Sequence, residues 1–158
     1  MGNNSQTRAS DLLFQLDQDL LMHHSKGKLE TIPGYHWHNG YEIYLFLGGD
    51  VRLCIEETYF TPIQGSLFVI RPNELHRVEC ERDETYERIA IEIRSSYMDQ
   101  LCRGSTDLRA CFVDRPLGLE NHVTLSEEER DTFILLAHKL MEANESKEYG
   151  HEIGRAHV

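Results

Sequence analysis

The sequence predicts a mainly β domain, a small barrel or jelly roll, with helices at its carboxy-terminal end. Three observations carry that reading. Between Lys28 and Ile93 the chain divides into short pieces rich in β-branched and aromatic residues. Turn signals stand between the pieces: Pro33-Gly34, Asn39-Gly40, Gly48-Gly49-Asp50, Pro62 with Gly65, and Pro72-Asn73, each supplying a positive or a preset φ. After Ile93 the apolar spacing changes to a helical period.

In chain order, Leu12, Leu13, Phe14, Leu16, Leu20 and Leu21 follow a Ser10 cap at mixed helical spacing. Residues 1–27 are therefore expected to form either one short amphipathic helix at Ser10 to Leu21 or an arm packing on the barrel. Residues 28–94 are expected to form the barrel. Its eight strands are placed at Leu29 to Ile32, Tyr35 to His38, Tyr41 to Leu47, Val51 to Ile55, Tyr59 to Thr61, Ser66 to Ile70, His76 to Glu81 and Tyr86 to Ile93. In the last of these, Glu87, Ile89, Ile91 and Ile93 share one side and Tyr86, Arg88 and Glu92 the other, so one side faces a core. Tyr41 to Leu47 is apolar on both faces except at Glu42, and a carboxylate in such a strand needs a partner.

Residues 95–145 read as a helical region, with helices at Ser95 to Cys102 and Leu125 to Asn144 around a loop-rich Gly104 to Asn121. Ser126 and Glu129 form the pattern of a capping box, and three consecutive glutamates favour the positive end of the second helix. Phe133, Leu136 and Leu140 repeat on one stripe, and Ile134, Leu135 and Met141 broaden it. That width suits either packing on the barrel or a second helix from a partner. Residues 146–158 read as a tail. Its last part, about 152–158, resembles a translated sequencing-adapter read-through and is expected to be non-native, so the native chain would continue differently.

The chain has 158 residues, 40% of them hydrophobic, with no apolar run near twenty, which bounds it to one soluble domain and excludes a membrane span. Sixteen basic against 27 acidic residues leave a net charge of -11, which repels a phosphate backbone and excludes direct nucleic-acid binding by this segment. The first residues lack the basic and apolar regions of a signal peptide, so the cytoplasm is the expected compartment. Cys54, Cys80, Cys102 and Cys111 are too widely spaced for a CxxC motif and are expected to be free thiols.

The chemistry concentrates in His36, His38 and Glu42, with His76 about three dozen residues on. His36 and His38 project from one face of an extended strand, about 7 Å apart. Glu42 can return to that face after Asn39-Gly40, and His76 comes from a neighbouring strand. Three imidazoles and a carboxylate suit a divalent transition metal. The same set also serves as polar lining of a ligand pocket, or as buried groups satisfied by local hydrogen bonds. Trp37, Tyr44, Phe46 and Arg88 supply aromatic surface and a hydrogen-bonding arm of the kind a polar ligand needs.

The order His36, His38, Glu42, Gly49, then Gly65, Pro72, His76 resembles the two motifs of the cupins. Gly34 stands nearer the first histidine than the motif's leading glycine, Glu74 stands where the second motif prefers glycine, and the second motif's terminal Asn is missing. These departures favour a pocket over a metal enzyme. The strings HWHNGYEIYLFLGG, GSLFVIRPNELHRV and YERIAIEI are similar to one cupin branch, the sensor domains of AraC-type bacterial transcription regulators, over Leu29 to Asn144. The resemblance implies a cupin-type double-stranded β-helix followed by helices, with no enzymatic activity and no required cofactor. Its implied effector is a sugar or other small polar metabolite, held by His36, His38, Glu42, Tyr44, His76 and Arg88. It further implies a homodimer through helix 125–144 and DNA binding by a carboxy-terminal domain missing here. The alternative is a small metal-dependent cupin enzyme, an isomerase or dioxygenase, using His36, His38, Glu42 and His76 as ligands.

Overall fold

The computed structural model describes residues 13–28, 34–80 and 85–146. Ten strands and three helices follow in order: β1 (Leu13–Phe14), β2 (Leu20–Gly27), β3 (Trp37–His38), β4 (Gly40–Gly48), β5 (Val51–Ile55), β6 (Thr58–Phe60) and β7 (Ser66–Ile70). They continue as β8 (His76–Cys80), β9 (Tyr86–Arg94), α1 (Ser95–Leu101), α2 (Ala110–Val113), β10 (His122–Thr124) and α3 (Glu127–Glu145). Among the described residues an antiparallel sheet runs in the order β10-β7-β4-β9-β2 and a smaller one in the order β6-β5-β8, while β1 and β3 pair in parallel. This is the mainly β barrel with carboxy-terminal helices that the punctuation of the sequence predicts.

Two cores explain the strands that are apolar on both sides. Phe46, Tyr44 and Phe68 of the larger sheet pack on Val51, Leu53 and Ile55 of the smaller one, filling the barrel. On the outer face of the larger sheet, Leu45, Ile89, Ile91 and Ile93 pack on Met98 of α1, Phe112 of α2 and Ala137 of α3. β4 and β9 lie between these cores; β4 is buried almost throughout and β9 is buried or half-buried along its length. The four cysteines are free, and Cys54 is buried in β5, the middle strand of the smaller sheet.

The amino-terminal segment departs from the helical alternative. Leu20–Gly27 is a strand, paired with β9 from Leu20 opposite Ile93 to Gly27 opposite Tyr86, so the larger sheet begins before residue 28. The reason is the open edge of β9, whose backbone groups need partners more than six leucine and phenylalanine side chains need a helical stripe. His122–Thr124 likewise adds to the other edge through β7, between the loop-rich stretch and the second helix, where no strand was expected. The strand expected at 29–32, the Ser10 cap and the tail from 147 onward fall outside the described residues.

Two turn positions acquire their reasons here. Gly40 needs space: a Cβ there would lie 2.3 Å from Leu16 Cδ1 and 2.6 Å from the Ile93 carbonyl oxygen. Asn73, with φ 65°, takes the left-handed position of the β7–β8 turn, which leaves Glu74 free to point inward.

Candidate functional site

Glu42 sits on β4 with its carboxylate buried among imidazoles from β3 and β8. His38 Nε2 lies 3.0 Å from Glu42 Oε2, and His76 Nε2 lies 3.2 Å from the same oxygen. His38 Nδ1 stands 2.9 Å from the Gly40 carbonyl and His76 Nδ1 2.8 Å from the Glu74 carbonyl. A carbonyl only accepts, so each Nδ1 carries a hydrogen and each Nε2 is turned to the carboxylate. Burial acts to lower the His38 pKa, but the Glu42 carboxylate beside it outweighs burial and holds it above its ordinary value. Burial opposes the charge on Glu42 too, and the His38 hydrogen bond together with the nearby His76 imidazole overcomes it, leaving the carboxyl far below the usual range. His76 Nε2, although close, lies off the hydrogen-bonding direction and has no partner in line. The three donor atoms lie within 4.8 Å of one another.

Beside this cluster the barrel holds a part-open cavity of about 100 Å³. The strand registers give its wall: Glu42 stands opposite Glu92, Tyr44 opposite Ala90, Phe46 opposite Arg88 and His23 opposite Ala90. Paired residues point to one side of a sheet, so polar groups of β2, β4 and β9 enter the barrel together. The Tyr44 and Tyr86 hydroxyls are hydrogen-bonded to one another, and burial pushes Tyr86 up to about 12. Burial, and then the charge on Glu42, raise Glu92, whereas burial and Arg88 lower His23.

A family model described as the AraC-like ligand binding domain matches residues 23–153. The chain belongs to this family. No curated protein matches it significantly. Among solved structures it is similar to a cupin 2 conserved barrel domain protein from Salinispora arenicola, at 19% identity over 54% of this chain and 71% of that one, with a TM-score of 0.45. A cupin protein from Bacteroides fragilis is 18% identical over 56% of this chain and 74% of its own, also with a TM-score of 0.45.

In this AraC-like domain the residues singled out by sequence fall into two groups. His36, Glu42, Tyr44, His76 and Arg88 all line the cavity. His38 stands behind Glu42 as its hydrogen-bond partner. His36 is outside the cluster of three donors: its Nδ1 donates to the Gly34 carbonyl at 3.1 Å and its ring packs 4.3 Å from that of His76. Phe46 belongs to the inner core, and Trp37 sits in the short β3. Sequence reading missed His23, Tyr86 and Glu92 as cavity residues, although the alternation in β9 already placed Tyr86 and Glu92 beside Arg88.

It also missed the support behind His76. Glu74 is fully buried, and Arg115 donates to both its oxygens, at 2.9 and 2.7 Å. Gly118 N, Asn121 Nδ2 and Arg71 N complete the set at 2.8, 3.1 and 3.1 Å. Burial acts to raise the Glu74 pKa, but these donors outweigh it and hold the carboxyl below its ordinary value. The Glu74 carbonyl orients His76, so this network ties the segment before β10 to the cavity wall.

The donor set of the AraC-like domain fits a divalent cation. Two Nε2 atoms and one carboxylate oxygen converge, and backbone carbonyls hold both Nδ1–H groups in the manner of second-sphere support for ligating histidines. His38, Glu42 and His76 would hold such an ion, which would supply a Lewis-acidic point for a ligand oxygen.

Proposed function

We propose that this AraC-like domain is the effector-sensing part of a bacterial transcription regulator. The observation that carries the reading is the cavity on the inner face of β2, β4 and β9, into which several polar side chains converge, in a chain of a ligand-binding family. The effector is a small polar metabolite, with sugars among its candidates. His36, Glu42, His76, Tyr44 and Arg88 contact it, and His38 keeps Glu42 ionised. Effector binding favours one of two arrangements of the barrel and its helices, and the difference in affinity between them is the signal. The DNA-binding part is a separate domain, which suits the acidic balance of this chain, and the domain works as a homodimer through α3 in the cytoplasm.

A thermal-shift screen of sugars, amino acids and organic acids tests this directly. A ligand at a hundredfold excess over its Kd stabilises the folded state by about 2.7 kcal/mol. No shift at millimolar concentration across the screen contradicts the proposal.

The convergence of His38, Glu42 and His76 supports one second reading, a metal-dependent cupin enzyme. Elemental analysis of protein purified without chelators separates the two: stoichiometric metal, with turnover of a screened substrate, favours the enzyme.

A further inference from the structure

Two charged groups on the cavity wall make no direct ion pair among the described residues. Arg88 and Glu92 both project into the barrel from β9, with Ala90 between them. Among the described residues no carboxylate pairs with Arg88, whose guanidinium rests 4.9 Å from the centre of the Tyr86 ring. Glu92 is directly opposite Glu42, which places two carboxylates side by side, roughly 5 Å apart at Cβ. Glu42 is compensated by His38 and His76, whereas Glu92 has no hydrogen-bond donor among the described residues. Like charges directly opposite one another destabilise a strand pair, so a cationic donor at Glu92 removes a repulsion as well as forming a bond.

Space between the two charges comes from Ala90, which projects only a methyl group where its neighbours Tyr44 and His23 are large. The cavity is small, about 100 Å³, and part-open, which favours a ligand of few non-hydrogen atoms that bridges the two charges.

We infer that the cavity recognises a small zwitterionic amino acid, its carboxylate on the Arg88 guanidinium and its ammonium at Glu92 beside Glu42. This rests on the effector-sensing reading and narrows it to one ligand class. Arg88 offers the planar fork that matches a carboxylate, and both ends of the ligand replace lost hydration with a fixed opposite charge. A neutral sugar would leave Arg88 and Glu92 as they are.

Titration calorimetry of the intact chain at neutral pH, with glycine, L-alanine and β-alanine, is the test. Propionate, propylamine, lactate and a neutral pentose are the controls. The expected result is binding of at least one amino acid, with propionate and propylamine each weaker by tenfold or more. Arg88→Gln and Glu92→Gln should each weaken the amino acid tenfold or more. Ala90→Val, which keeps both charges and fills part of the cavity, should weaken it as well. Unchanged affinity in Arg88→Gln and Glu92→Gln overturns the inference. So does binding of the pentose or lactate with none of the amino acids, and in that case the wider sensing role stands. Silence from every compound overturns the inference and, with a negative thermal-shift screen, the sensing role too.

Discussion

Glu42 gathers the chemistry of the site because it is a carboxylate in a strand buried on both faces, and burial forces it to recruit partners. His38 and His76 answer that need, each with Nδ1 tied to a backbone carbonyl and Nε2 turned inward. In metal-free protein the His38 imidazole is expected to titrate above its ordinary 6.5, because Glu42 outweighs burial. A raised folded-state pKa means that this contribution to stability is complete below the unfolded value and fades as pH rises through the folded one. In Glu42→Gln the main influence that raises the His38 pKa is removed while burial remains, so the His38 pKa should fall from its raised value, which an NMR titration of the imidazole protons reads directly. The buried Glu74–Arg115 pair makes a second prediction at this scale. Arg115→Ala leaves a buried carboxylate without its main partner and should destabilise the domain by about 3–5 kcal/mol in urea unfolding. The first set of residues was legible in sequence because HxH and a following glutamate lie within seven positions. The second was not, because Glu74 and Arg115 are 41 residues apart and nothing local to either announces the other.

At the scale of elements, strands with continuous apolar runs or clear alternation were read closely, and β5 and β7 have the predicted bounds. β2 was not recognised as a strand of the sheet for a physical reason. Its inward face carries His23 beside the cavity, and its outer face places His24 2.9 Å from both His138 of α3 and Glu87 of β9. A strand that lines a polar cavity loses the alternation by which strands are recognised. The α3 capping box, in contrast, was visible as Ser126 and Glu129 and is present with both reciprocal bonds. Ser126→Ala should cost about 1 kcal/mol, measured by chemical denaturation. Gly40→Ala tests the close approach of β4 to β9: the methyl has no space beside Leu16 and the Ile93 carbonyl, so the variant should be clearly less stable than the parent.

Across the whole molecule the larger sheet separates two environments, a polar cavity within the barrel and an apolar layer beneath the helices. Phe133, Ile134, Leu140 and Met141 of α3 pack on that layer, which accounts for part of the wide stripe seen in sequence. Leu135 and Leu136 remain 55% and 44% exposed, and these are the residues the proposed dimer would cover. Leu136→Glu should shift the protein from dimer to monomer in light scattering without unfolding it. The Glu74 network connects the two sides, since it orients His76 in the cavity wall and holds the segment leading to β10 and α3. The central claim is that the effector is bound inside the barrel. Its most direct measurement is the map of backbone amide shifts in the ¹H–¹⁵N spectrum on titration with the strongest stabiliser from the thermal-shift screen. The account predicts the largest shifts at Glu42, His76, Arg88 and Glu92 and their strand neighbours, with smaller ones reaching Gly118 and Asn121. Shifts confined to the outer apolar layer and α3, with β4 and β9 unmoved, would contradict it.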